Sequence, residues 1–362
     1  MGRDTPKNAP GNPAAALASL MQRPDHFANP DTSETYEMIP MNAPADRFVP
    51  PAEAVTATAL ALAASDGYPL AAHHWQPAGT PLGVVVINPA TAVKAVYYHR
   101  YARFLAEHGF VVLTYDYRGI GASRQGNLRQ WRHIRKLDWG RYDCEAALAW
   151  ARQAYPDLPL HLVAHSIGGL LLGLAPSGAA VQRAFTVGSQ YAYWPDYGPG
   201  KPLMWLRWHV LMPALTALLG YFPARRLGWH EDLPAGAAYE WAFRPASLEK
   251  SYRRHVQAGE APLAHFDSFR GEMLAVSLTD DPFGTPAAVR RLLGYYRGAR
   301  RHHLHLAPDA AGVAAIGHFA WFHERFRPTL WQDSLAWLQE GRLRRTPRET
   351  LEPENSARGT NG

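Results

Sequence analysis

Cysteine is all but missing: the chain of 362 residues holds one, Cys144. A single thiol closes no internal bridge, which excludes a disulfide scaffold and a cysteine-rich zinc module and fits a reducing compartment. Cys144 sits in a helical-looking stretch, Asp143-Cys144-Glu145-Ala146-Ala147-Leu148, whose two acids raise a thiol pKa. Ordinary packing is therefore its expected role. Charge of one sign is scarce as well: 37 basic against 31 acidic residues leave +6, too little by itself to imply nucleic acid. The first residues lack a basic patch followed by an apolar run, so no secretory signal is expected and the cytoplasm is the default location. No internal repeat is found.

What is present is apolar and aromatic. Hydrophobic residues make up 47% and charged residues 19%, which excludes collagen-like, coiled-coil and wholly disordered chains. At about 150 residues per domain, the length allows two domains or one large one. Residues 1–52 carry nine prolines but only six Leu, Ile, Val or Phe, and read as a disordered Pro/Ala-rich arm. From 341 to 362 the chain turns polar again and reads as a poorly ordered tail. There, Arg342, Arg344, Arg345 and Arg348 fit the solvated end of a last helix.

Between the two ends, short apolar runs alternate with amphipathic ones. GVVVIN (83–88), FVVLTY (110–115), 160–164 and 184–188 are separated by helical patterns at 97–108, 141–154 and 167–174. That alternation predicts an α/β fold with a mostly parallel sheet covered by helices on both faces. The rhythm stops after Gly188 and resumes with EMLAVSL (272–278), a helix opened by Thr285-Pro286, the strand 301–306 and a final helix at 331–339. The core is thus expected in two pieces, 53–189 and 272–340.

The interruption, 190–271, reads as an inserted helical cap. From Tyr191 to Phe243 it holds twelve aromatic residues in 53, including Trp194, Trp205, Trp208, Trp229 and Trp241. Its run 203–222 (LMWLRWHVLMPALTALLGYF) approaches membrane-spanning length, but Arg207, His209 and Pro213 interrupt it. A mobile cap over a cleft is the expectation, with peripheral lipid contact as its secondary role.

The sharpest local signal is Ala164-His165-Ser166-Ile167-Gly168-Gly169, an apolar strand running into a serine and then a helix. A strained strand-to-helix elbow needs small residues two before and two after its serine; Ala164 and Gly168 meet that need, alanine replacing the usual first glycine. A serine hydroxyl attacks at neutral pH only if a histidine accepts its proton and a carboxylate holds that histidine in place. The strand 272–278 ends in Thr279-Asp280-Asp281-Pro282-Phe283-Gly284, where Asp281 is the expected acid and Asp280 the alternative. After the next strand, Ile316-Gly317-His318-Phe319 offers His318 on a loop ahead of the last helix. His302, His303 and His305 read as an exposed strand face, not as metal ligands. The oxyanion needs two N–H donors. Ile167 is the first; Ala90 is the expected second, with Thr91 as alternative, because Pro89 has no N–H.

Together with Asp116-Tyr117-Arg118-Gly119-Ile120-Gly121-Ala122-Ser123, the elbow resembles the α/β-hydrolase superfamily. The stretches 114–121 and 316–319 are similar to bacterial predicted hydrolases related to the serine aminopeptidase and monoglyceride lipase-like group. The likeness covers about 53–340. It implies a Ser-Asp-His hydrolase with a cap, and carries Ser166, Asp281 and His318 as triad candidates. The expectation is a hydrolase without cofactor or metal, acting on a small-molecule ester with an apolar acyl or aromatic group. An amidase, peptidase or acyltransferase with the same triad is the enzymatic alternative, and a silent ligand-binding protein the non-enzymatic one.

Overall fold

The computed structural model describes residues 55–198 and 201–354. The expected arm at 1–52 lies outside the described residues, as does the end of the chain from 355. Among the described residues eleven strands follow in order: β1 (Thr56–Ala63), β2 (Pro69–Gln76), β3 (Gly83–Asn88), β4 (Phe110–Tyr115), β5 (Leu160–His165), β6 (Val181–Val187), β7 (Tyr221–Phe222), β8 (Leu233–Pro234), β9 (Glu272–Leu278), β10 (Arg300–Leu306) and β11 (Glu349–Leu351). Nine of them form one sheet in the order β1-β2-β4-β3-β5-β6-β9-β10-β11, while β7 and β8 pair separately.

The central strands explain themselves. Every residue of β3, β4 and β5 is buried, which suits strands with helices on both faces. Along the nine-stranded sheet, from β4 across to β10, all pairings are parallel. Each crossover is helical: His99–Glu107 between β3 and β4, Glu145–Ala154 before β5, Pro286–Leu293 before β10. Thr285 caps the last of these through its side chain, with Pro286 in the first turn. The sheet is therefore the expected α/β one, mostly parallel with helices.

Two features were not anticipated. β1 and β2 form an antiparallel hairpin around a turn with Gly67 at φ 84, and β2 pairs antiparallel with β4. The polar tail expected from 341 also contains a strand. β11 pairs antiparallel with β10, placing Leu351 opposite Arg301, Thr350 opposite His302 and Glu349 opposite His303. The same pairing corrects the expectation of an exposed histidine face: His303 is fully buried, His302 is 6% exposed, and only His305 is half-buried. His303 Nδ1–H donates to Glu349 (3.0 Å), and its Nε2 accepts from Ser277 (2.8 Å). Strand pairing satisfies backbone groups whatever the side chains are, so a polar strand left no hydropathy signal.

Residues 188–271 link β6 to β9 through helices Lys201–Leu206, Met212–Leu219 and Ala235–Ala242 and the small β7-β8 pair. The apolar run at 203–222 is broken there, because Gly220 takes a left-handed conformation (φ 78) and Tyr221 enters β7. Among the described residues no helix is long and apolar enough to cross a membrane.

Candidate active site

The C-terminal ends of the parallel strands bring the chemistry together. β5 runs directly into Ser166, whose φ of 52 is positive, a conformation that costs a non-glycine residue energy and is held here by its surroundings. Its N–H donates to the carbonyl of Val187 at the end of β6 (3.0 Å). Gly168 sits so close to β3 that a Cβ there would lie 2.6 Å from the carbonyl oxygen of Asn88. The Asn88 side chain in turn donates to Gly168 O at 3.0 Å. Ala164, in the place of the usual glycine, is fully buried.

The loop after β9 supplies both aspartates, and they do different things. Asp281 Oδ2 accepts from Nδ1 of His318 at 2.7 Å, while its Oδ1 accepts from the N–H groups of Phe283 (2.8 Å) and Gly284 (2.9 Å). Asp280 instead holds the histidine loop, accepting from the N–H of Ile316 (2.7 Å) and Gly317 (2.8 Å). With Nδ1 bound as donor, His318 has Nε2 left to accept a proton. Ser166 and His318 line one cavity of about 480 Å³ that is partly open to solvent. Its walls include Trp229, Trp241 and Leu233 from residues 188–271, and Phe283 and Phe319 from the loops after β9 and β10. Phe283 packs edge-on against the His318 ring, centroids 5.3 Å apart.

Of the oxyanion candidates, the structure separates Ala90 from the others. Its N–H is taken by the Tyr98 hydroxyl at 2.9 Å, so the expected second donor is already engaged. Among the described residues the N–H groups of Ile167 and Thr91 have no acceptor, and Thr91 lines the cavity. The reason lies in the helical turn after β3, which sets Tyr98 beneath the loop. Tyr98 also donates to Nδ1 of His165 (2.7 Å), and His165 Nε2–H donates to the carbonyl of His318 (2.8 Å). Burial holds the His165 pKa well below its usual 6.5 and that of Tyr98 well above its usual 10, so both stay neutral. Sequence pattern gave no sign of Tyr98 or His165; a bond between residues 67 apart has no local signature.

The motif 116–123 is architectural. Asp116 accepts from the N–H of Ala95 (2.6 Å) and Ala122 (2.8 Å), tying the two loops beside the site. Arg118 lies between Asp66 (2.6 Å) and Asp143 (2.6 Å), over the rings of Tyr68 and Tyr142. Burial pushes the Asp143 carboxyl up to about 7 despite that partner. Cys144 is buried, its thiol pushed up to about 12 by burial, which makes it packing and not a nucleophile. Among the described residues no group of His, Cys, Asp or Glu could hold a metal ion.

Sheet order, elbow and acid-histidine pair define a protein of the α/β-hydrolase fold. Within that class the chain is similar to the serine aminopeptidase and monoglyceride lipase-like group: residues 79–243 match the family described as serine aminopeptidase, S33. A monoacylglycerol lipase from Mycolicibacterium smegmatis is 35% identical over 95 residues, 26% of this chain and 32% of that protein. The match thus spans about a third of the relative's length. A hypothetical protein from Pseudomonas aeruginosa shares the fold at 16% identity and a TM-score of 0.53, covering 85% of this chain and all of its own. An esterase from Pyrococcus furiosus overlays 85% of this chain and 99% of its own at 14% identity and a TM-score of 0.46.

Proposed function

We propose that the protein is a serine hydrolase that cleaves a carboxylic ester bearing an apolar acyl or aromatic group through an acyl-enzyme intermediate. One observation carries this reading: Ser166 on its strained elbow and His318, held by Asp281, line the same largely apolar cavity. His318 Nε2 takes the proton of Ser166 Oγ as that oxygen bonds to the ester carbonyl carbon. The resulting oxyanion meets the N–H groups of Ile167 and Thr91. When it collapses, His318 returns the proton to the departing alcohol. Water, deprotonated by the same imidazole, then releases the acid. Asp281 fixes the tautomer and steadies the imidazolium without itself accepting the proton.

The cavity wall supports the apolar preference. Trp241 and Phe283 flank the triad, and Trp208 stacks on Trp241 with centroids 4.3 Å apart, which gives an acyl chain an aromatic surface to displace water from. A fluorophosphonate probe should label the wild type and not Ser166→Ala. An ester series of increasing chain length, set against aminoacyl amides, should show turnover of the esters. Absence of labelling in folded protein would leave a binding module; amide turnover alone would make it a peptidase.

A further inference from the structure

The N–H of Thr91, which meets the oxyanion in the proposed reaction, belongs to a tight turn that the N–H of Val93 closes on the carbonyl of Ala90 (3.2 Å). Ala92, the third residue of that turn, has a φ of 63, a left-handed conformation that a type II turn normally gives to glycine. A strained turn of this kind persists only when its surroundings hold it. From the side of the sheet, the Tyr98 hydroxyl holds the N–H of Ala90 and the Asp116 carboxylate that of Ala95. From the segment that links β6 to β9, the N–H of Glu231 donates to the carbonyl of Ala92 at 2.8 Å.

Glu231 is itself pinned to the same loop. Its side chain is largely buried, and its carboxylate lies 3.7 Å from Nζ of Lys94, three residues beyond Thr91, and 4.0 Å from Arg225. Trp229, His230 and Leu233 beside it line the cavity, so this stretch is both a wall of the site and a brace for the loop opposite. We infer that Glu231 is a positioning residue: through its N–H on Ala92 and its carboxylate on Lys94, it holds the Thr91 N–H where the oxyanion forms. It touches neither the substrate nor the reacting atoms. This rests on the serine-hydrolase reading and deepens it. Donors stabilise a developing charge only if their positions are fixed before it appears, and a small displacement forfeits much of the effect. With Ala90 held on one side and Ala92 on the other, Thr91 cannot swing away as the carbonyl becomes tetrahedral. The ground-state ester binds mainly to the apolar wall, so loosening the brace lowers kcat and leaves KM in place.

The test is a charge swap in the full chain, read by steady-state hydrolysis of ethyl butyrate. Lys94→Glu, at a side chain 51% exposed, sets two carboxylates against each other without disturbing the core. Its kcat should fall about threefold to tenfold, with KM within about twofold of the wild type. Glu231→Ala should behave alike. The double swap Lys94→Glu/Glu231→Lys restores opposite charges and should recover most of the lost kcat, which a variant that merely damaged the fold would not do. Should Glu231→Ala fail to fold, Lys94→Glu and the double swap still decide the matter. Wild-type kcat in Lys94→Glu overturns the inference, and so does a rise in KM at constant kcat, which would make Glu231 a binding residue. A double swap that recovers nothing overturns it as well. Each of these results leaves the hydrolase reading intact as long as the wild type turns over the ester and Ser166→Ala does not. Failure of the wild type to hydrolyse any ester defeats that reading and this inference with it.

Discussion

His165 donates its Nε2–H to the backbone carbonyl of His318 across 2.8 Å, so the residue before the elbow serine holds the main chain of the histidine loop. The bond exists only while His165 is the Nε2–H tautomer, and the Tyr98 hydroxyl on Nδ1 selects that tautomer. Tyr98→Phe removes the selection and leaves the Ala90 N–H without its acceptor. We expect a stability loss of about 1–3 kcal/mol in urea melts, the cost of unpaired buried groups. We also expect kcat to fall about tenfold, equivalent to about 1.4 kcal/mol, with KM nearly unchanged. A variant with wild-type kcat would show that the tether does not position His318.

The two neighbouring aspartates should separate in kinetics. Asp281→Asn keeps the shape but presents an amide to Nδ1, and kcat should drop by about 10³–10⁴-fold as the imidazole loses its orienting carboxylate. Asp280→Asn still offers an oxygen to the N–H groups of Ile316 and Gly317, so its loss should stay within about tenfold. Equal losses would contradict the division of labour between them.

Gly188 leaves no room for a side chain. Its φ is 56, and a Cβ there would lie 2.9 Å from Asp281 Oδ2 and 3.1 Å from His318 Nδ1. Gly188→Ala should cost about 1–2 kcal/mol from the left-handed backbone. By displacing the acid-histidine pair it should also lower kcat/KM about 10²-fold. Circular dichroism distinguishes a folded, displaced site from an unfolded chain.

Acid sensitivity should have a traceable source in His161. Burial lowers its pKa from 6.5 to about 4, and its Nδ1 has no partner. Below about pH 6.5 the unfolded chain binds a proton that the folded protein refuses, so stability falls with falling pH by about 1.4 kcal/mol per unit until the folded pKa is reached. His161→Leu removes this contribution. Between about pH 7.5 and about pH 5, urea midpoints of the variant should decline less than those of the wild type, by up to about 2 kcal/mol. Parallel declines would assign the sensitivity elsewhere.

Much of this was legible before any coordinates. Continuous apolar runs such as GVVVIN and FVVLTY announce strands buried on both faces, and their boundaries in β3, β4 and β9 match those in the structure. Ser166 and Asp281 stand out because each comes just after a strand of that kind, and His318 because it follows a glycine on the loop ahead of the last helix. The hairpin β1-β2 did not, since its alanine-rich strands carry little hydropathy contrast. The second oxyanion donor was also out of reach. Whether Ala90 or Thr91 has a free N–H depends on a tyrosine eight positions on, and only the folded turn decides it. Asp280 and Asp281 were distinguishable only as a preference, because adjacent carboxylates differ in direction and not in spacing.

β11 is three residues long and lies beyond the last helix, yet it occupies the backbone of β10 along one edge of the sheet. Were proteolysis to clip it away, those amides and carbonyls would become a template on which a second molecule could add its own strand. The solubility of a protein cut short there would then depend on Glu349, Thr350 and Leu351 far more than their size suggests. A fusion partner joined directly after Leu351 would put strain on the same seam.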